Sequence, residues 1–185
     1  MNLQHVNVKI FVDGDLSVEL DRFIEVFHRW VAEQSMDEMM IDVADYGHVP
    51  AGPGIVMVGL EADYSIDNRG NRFGLLYNRK GALEGSNEDR IRHSLRSAAK
   101  TCLLLELEFD GLRFSRQQFE LFVNDRALAP NEDATRAACE PILTACFREL
   151  FGDNDFILEF SSDPRSRFGA VVNLAKPVDL AGLAE

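Results

Sequence analysis

Two stretches of this chain share one pattern, and that constrains its folding more than any other feature. Residues 8–15 (VKIFVDGD) and 119–126 (FELFVNDR) each read as an apolar alternating strand, an aromatic ring, a valine and then Asp or Asn. Phe11 and Phe122 hold equivalent positions 111 residues apart. Each stretch leads into a helical segment, 18–35 and 132–151, and later into a glycine-led apolar run, GIVMVGL at 54–60 and GAVVNL at 169–174. Gly54 and Gly169 stand 115 residues apart, a drift expected of two copies with different gaps. The pattern predicts a duplicated β-α-β-β unit, with halves at about 6–60 and 119–174 and an insert at 61–118.

Local signals fill in the elements. Val6, Val8, Ile10 and Val12 alternate with polar residues as in a half-buried strand. Ser17 is expected to cap a first helix whose Leu20, Phe23, Ile24, Phe27, Trp30 and Val31 fall on one face. Residues 39–44 and 54–60 give two more strands, the second apolar on both faces and so expected inside the sheet. Asn68-Arg69-Gly70-Asn71 closes a hairpin between 62–67 and 72–79. Ser86 with Asp89 forms a capping box for a helix running to about Glu108. Strands at 119–124 and 155–160 flank a third helix, which Pro141 must kink or divide. The tail after Pro177 has little periodicity and is expected to dock loosely.

This order predicts an α+β fold, a mixed β-sheet with three main helices in which each strand–helix–strand unit sets its two strands parallel. No Pro- or Ser-rich linker interrupts it, so residues 1–185 read as a single domain.

Composition narrows the class. No apolar run reaches the ~18–20 residues of a membrane span, and MNLQHVNVKI lacks the apolar stretch of a secretion signal. Three cysteines without a CxxC pair read as buried thiols, which predicts a cytoplasmic protein with no membrane partner. A net charge of −12 argues against direct nucleic-acid binding, because phosphate contacts need a positive face. The charge is uneven. Residues 1–60 carry 3 basic and 10 acidic side chains and 119–185 carry 6 and 12, whereas 61–118 carry 10 and 9. The basic middle either packs beside the acidic halves or meets an anionic ligand or acidic partner.

Motif chemistry is sparse. There is no phosphate-binding glycine loop, HExxH or nucleophile elbow. HVPAGPG at 48–54 joins two strands and lacks the helix N-terminus that makes a phosphate cradle. Asp45 beside His48 suits a carboxylate-oriented general base, the catalytic candidate. Asp42, Glu61 and Asp63 with the same imidazole suit a divalent ion, but no spacing fixes ligand geometry, so no metal site is assigned. Tyr46, Tyr64 and Tyr77 crowd into the same region with Arg79, a ligand-binding candidate in which Arg79 would clamp an anionic group. Hairpin pairing also sets Tyr64 and Tyr77 on one face, as a core requires. No cofactor is indicated.

Phe11 and Phe122 point to the outer sheet face, which predicts that a helix or a second subunit covers it. The leading expectation is a non-enzymatic assembly or interaction protein that self-associates as a homodimer. The alternative is a small-ligand- or metal-dependent enzyme or binder with its site near residues 42–79. A third reading is an acidic regulator of a basic partner protein.

Overall fold

Alternating apolar positions bring eight strands into one sheet. The computed structural model describes residues 1–185 as β1 (Val6–Val12), α1 (Leu20–Glu33), β2 (Met40–Tyr46), β3 (Gly54–Gly59), β4 (Ala62–Asp67), β5 (Gly74–Arg79), α2 (Asn87–Glu108), β6 (Phe114–Val123), α3 (Asp133–Phe151), β7 (Phe156–Phe160), β8 (Gly169–Leu174) and α4 (Leu180–Leu183). The strands lie in the order β2-β3-β4-β5-β1-β6-β8-β7.

The α+β class agrees with the element order, but the expected parallel neighbours are absent: all seven pairings are antiparallel. The strands joined through a helix do run in the same direction. Three strands separate β1 from β2 and one separates β6 from β7. Each antiparallel step reverses the chain, so hairpin strands fill the places that direct parallel pairs would take.

One face of the sheet carries the core. Val8, Ile10, Tyr64, Ile66, Leu75, Tyr77, Phe119 and Leu121 join Phe23, Phe27, Leu95, Cys102 and Phe147 from the helices in a cluster of 40 buried residues. Helix α2 packs on β1 and β5, and α1 on β2 and β3. Each such large apolar side chain contributes about 1.5–3 kcal/mol by leaving water. Around Phe147, the rings of Phe119, Phe151 and Phe156 have centroids 5.7–5.8 Å away.

The helix ends depart from expectation at the start of α1 and in the tail. Glu19, not Ser17, occupies the N-cap of α1, and its side chain makes no capping bond. Helix α3 continues through Pro141, where the ring removes one backbone donor without ending the helix. The tail is docked: Asp179 caps α4, Leu180 is buried, and α4 packs on α2. The Ser86–Asp89 capping box of α2 forms both of its bonds.

The repeated pattern joins strand pairs other than those expected. Phe11 pairs with Gly74 across β1 and β5, and Phe122 with Gly169 across β6 and β8. The flanking amides match as well. Asn7 Nδ2 donates to Asn78 Oδ1, and Gln118 Nε2 donates to Asn173 Oδ1. Residues 72–78 (RFGLLYN) thus take the place that 167–173 (RFGAVVN) take in the other half. The run at 54–60 does not, since two strands separate β3 from β1. The segment 61–118 therefore supplies β5 to the matching arrangement instead of standing outside it.

Candidate ligand site on the open face of the sheet

Strand alternation sends Asn7, Lys9 and Phe11 of β1 away from the core, together with Asp67 of β4, Leu76 of β5, and Glu120 and Phe122 of β6. Phe11, Leu76 and Phe122 are buried yet stand outside the main core. Arginines from the same chain lie over the rings. The Arg72 guanidinium sits 3.8 Å from the Phe11 centroid, and Arg69 and Arg167 sit 4.7 and 4.3 Å from that of Phe122. These cation–π contacts stabilise by about 0.5–2 kcal/mol each, more as water is excluded. The two phenylalanines are covered without the helix or second subunit that their position suggested.

Lys9 organises the centre of this face. Its side chain runs across β5 above Gly74, where an added Cβ would lie 2.9 Å from Lys9 Cε. The absence of a side chain at Gly74 lets Lys9 Nζ reach Asp67 Oδ1 at 2.6 Å, with both side chains nearly inaccessible. The ammonium also donates to the Arg69 carbonyl at 3.1 Å, and Asp67 Oδ1 accepts from the Arg69 backbone N–H at 3.1 Å. Lys9 and Asp67 together fix the hairpin tip that carries Arg69. Burial lowers the Lys9 pKa although Asp67 opposes the shift. Such a pair resists the loss of either partner far more than it adds net stability.

Beside this pair the face opens into a hollow of about 370 Å³, lined by Arg69, Arg126, Arg167, Glu120, Glu159 and Ser166 among others. Arg69 Nη2 is shut off from solvent without a hydrogen-bond partner, and it forms a loose ion pair with Asp67 Oδ1 at 3.7 Å. Arg167 Nη1 donates to Asn124 Oδ1 at 3.0 Å, which anchors one side of that guanidinium. Burial pushes the Glu120 carboxyl up, against the opposing pull of Arg69 and Lys9. A second hollow of about 330 Å³ adjoins the first, sharing Arg69 and Arg167 and bounded by Asp63 and Asp67.

The residues singled out from the sequence lie elsewhere. Asp45 and His48 are exposed at the β2–β3 turn, where Asp45 Oδ1 accepts from the Gly47 N–H at 2.7 Å. Tyr46 is also exposed and pairs with Gly54 at that end of the sheet. Arg79 pairs with Ala62 at the opposite end, and its guanidinium is taken up by Glu61 and the carbonyls of Gly81 and Ala82. The structure does not bring Asp45 and His48 together with Arg79. No three His, Cys, Asp or Glu side chains gather as a metal site.

Tyr64 and Tyr77 do converge, on the core side and around a residue that the sequence did not mark. Tyr64 Oη donates to Glu38 Oε2 at 2.5 Å, Tyr77 Oη to Glu38 Oε1 at 2.9 Å, and His93 Nε2 lies 3.0 Å from Tyr77 Oη. Burial alone would raise the Glu38 carboxyl, but hydrogen bonds from His93, Tyr64 and Tyr77 prevail and hold it at about 2. The cluster fastens the segment between α1 and β2 to the sheet.

Sequence reasoning missed Lys9, Asp67, Glu120 and Arg167. The RFG tripeptides at 72–74 and 167–169, each placing an arginine two residues before a strand glycine, were the signal that could have found Arg167; nothing comparable marks Arg69 or Arg126. No family model, curated protein or solved structure matches the chain.

Proposed function

We propose that this is a binding protein that holds a small anionic ligand in the hollow on the open face of its sheet. One observation carries the reading: Arg69 and Arg167 stack on the same Phe122 ring at the wall of one hollow, which Arg126 also lines. A guanidinium presents donors in a fixed fork that suits a carboxylate or phosphate, and stacking orients that fork before the ligand arrives. The site belongs to the small-ligand class that the sequence offered as the alternative to an assembly protein, but it is centred on Arg69 rather than on Asp45, His48 or Arg79. Three free, buried cysteines favour a reducing, cytoplasmic setting, and no helix is long and apolar enough to cross a membrane.

Thermal unfolding in rising phosphate and glutarate tests the proposal. A ligand bound only by the native state raises the midpoint with concentration. Wild type should show a rise that grows with the logarithm of concentration once the anion exceeds its Kd, and Arg126→Ala should reduce it without lowering the ligand-free midpoint, because Arg126 is exposed and its side chain makes no bond within the chain. A midpoint that ignores both anions overturns the reading.

Self-association is a second reading, favoured by the edge strand β2. Its outer side has no neighbour in the sheet, and Met39, Ile41 and Tyr46 are exposed along it. A mass measurement in solution on wild type and on Ile41→Lys tests it: a dimer that Ile41→Lys dissociates supports it, and a monomeric wild type removes it.

A further inference from the structure

The hollow holds an unused carboxylate as well as unused guanidinium donors, and the combination defines its ligand more closely. Glu120 projects from β6 directly opposite Lys9, yet Lys9 turns away over Gly74 to Asp67. The Glu120 carboxylate is left half-buried, with no hydrogen bond and no ion pair within the chain. A carboxylate drawn out of water needs a donor. Lys9, its partner across the ladder, is committed to Asp67 instead.

Resting on the anion-binding reading, we propose that the ligand is an acidic α-amino acid, whose carboxylates meet the arginines and whose ammonium meets Glu120. The charge on the walls fits: Arg69, Arg126 and Arg167 face Glu120 and Glu159, three cations against two carboxylates. A ligand with two carboxylates and one ammonium complements that set. A simple dicarboxylate would leave Glu120 unpaired and repelled, and a monoamine would leave three guanidinium groups unmet. Ser166, hydrogen-bonded only to backbone and to Ser161 at the rim, offers a further hydroxyl to a carboxylate.

Titration calorimetry with three related ligands tests this: glutamate, glutarate, which lacks the ammonium, and 4-aminobutyrate, which lacks the α-carboxylate. Wild type should bind glutamate about tenfold more tightly than glutarate, the order of one charge-assisted hydrogen bond, and 4-aminobutyrate most weakly. Glu120→Gln should bring glutamate down to glutarate while leaving glutarate unchanged or tighter. Glutarate binding wild type as tightly as glutamate would overturn the amino-acid assignment and leave anion binding standing. Binding of none of the three, together with no response to phosphate, would overturn both.

Discussion

The Arg167 guanidinium lies 4.3 Å from the centroid of the Phe122 ring. In the other half of the sheet Arg72 lies 3.8 Å from Phe11, and the two rings pair with Gly169 and Gly74 in matching registers. In each case the glycine leaves room for the ring or its neighbour to lie across the adjacent strand, and the arginine two residues earlier seals it. The halves differ in what surrounds this shared unit. Lys9 and Asp67 neutralise the β1 side, whereas Glu120, opposite Lys9 on β6, has no ion pair within the chain.

Phe122→Leu keeps an apolar plug but removes the ring on which Arg69 and Arg167 stack. Stability should fall by about 1–2 kcal/mol in chemical denaturation. Glutarate affinity should fall at least severalfold, because both forks lose their orientation. Unchanged affinity would show that the stack is packing alone.

Lys9→Met strands the buried Asp67 charge and should cost about 3–5 kcal/mol. Adding Asp67→Leu should recover much of that loss, since an apolar pair needs no desolvation. The double variant should still lose anion affinity, because the Arg69 tip forfeits its Asp67 bond. A denaturant series on the two single variants and the double measures the coupling. Simple additivity would contradict a direct pair.

Gly169→Ala puts a Cβ 2.3 Å from the Leu121 carbonyl oxygen and 2.5 Å from Phe122 Cβ, so backbone must move. The expected cost is at least about 2 kcal/mol, in the range of core overpacking. Gly182→Ala, with open space at the added carbon, serves as the neutral control. Equal midpoints for the two variants would refute the tight crossing of β8 and β6.

Glu38 ties stability to acid pH. Its carboxyl stands at about 2 in the fold against 4.5 for the free group. A lowered folded value stabilises above the unfolded pKa and is lost as pH falls through the window from about 4.5 to about 2. The whole effect is on the order of 3 kcal/mol. Glu38→Gln should lower stability at neutral pH and flatten that part of the acid limb. An acid limb of unchanged slope would mean that Glu38 is not held by Tyr64, Tyr77 and His93.

Much of the fold was legible in the sequence because period and turn chemistry are local. The alternation at Val6–Val12, the Ser86–Asp89 box and the Asn68–Asn71 turn each state their own geometry. Strand order was not legible, because by hydrophobicity alone GIVMVGL resembles GAVVNLA more closely than GLLYNRK does. The shared RFG and the following Asn decide between them only once the registers are known. The candidate site was hidden for a related reason. Lys9 meets Asp67 from 58 residues away, and Arg69 meets Phe122 across two intervening strands. Asp45 and His48 were conspicuous because they are neighbours in sequence, yet they face solvent.

Nuclear magnetic resonance of the arginine side chains tests the central claim most directly. With glutarate or glutamate added stepwise, the Nε–Hε signals of Arg69, Arg126 and Arg167 should move together and saturate along one binding curve. Those of Arg22 and Arg136, exposed on α1 and α3, should stay in place. Unsaturated drifts of similar size at all five arginines would contradict a built anion site on the open face of the sheet.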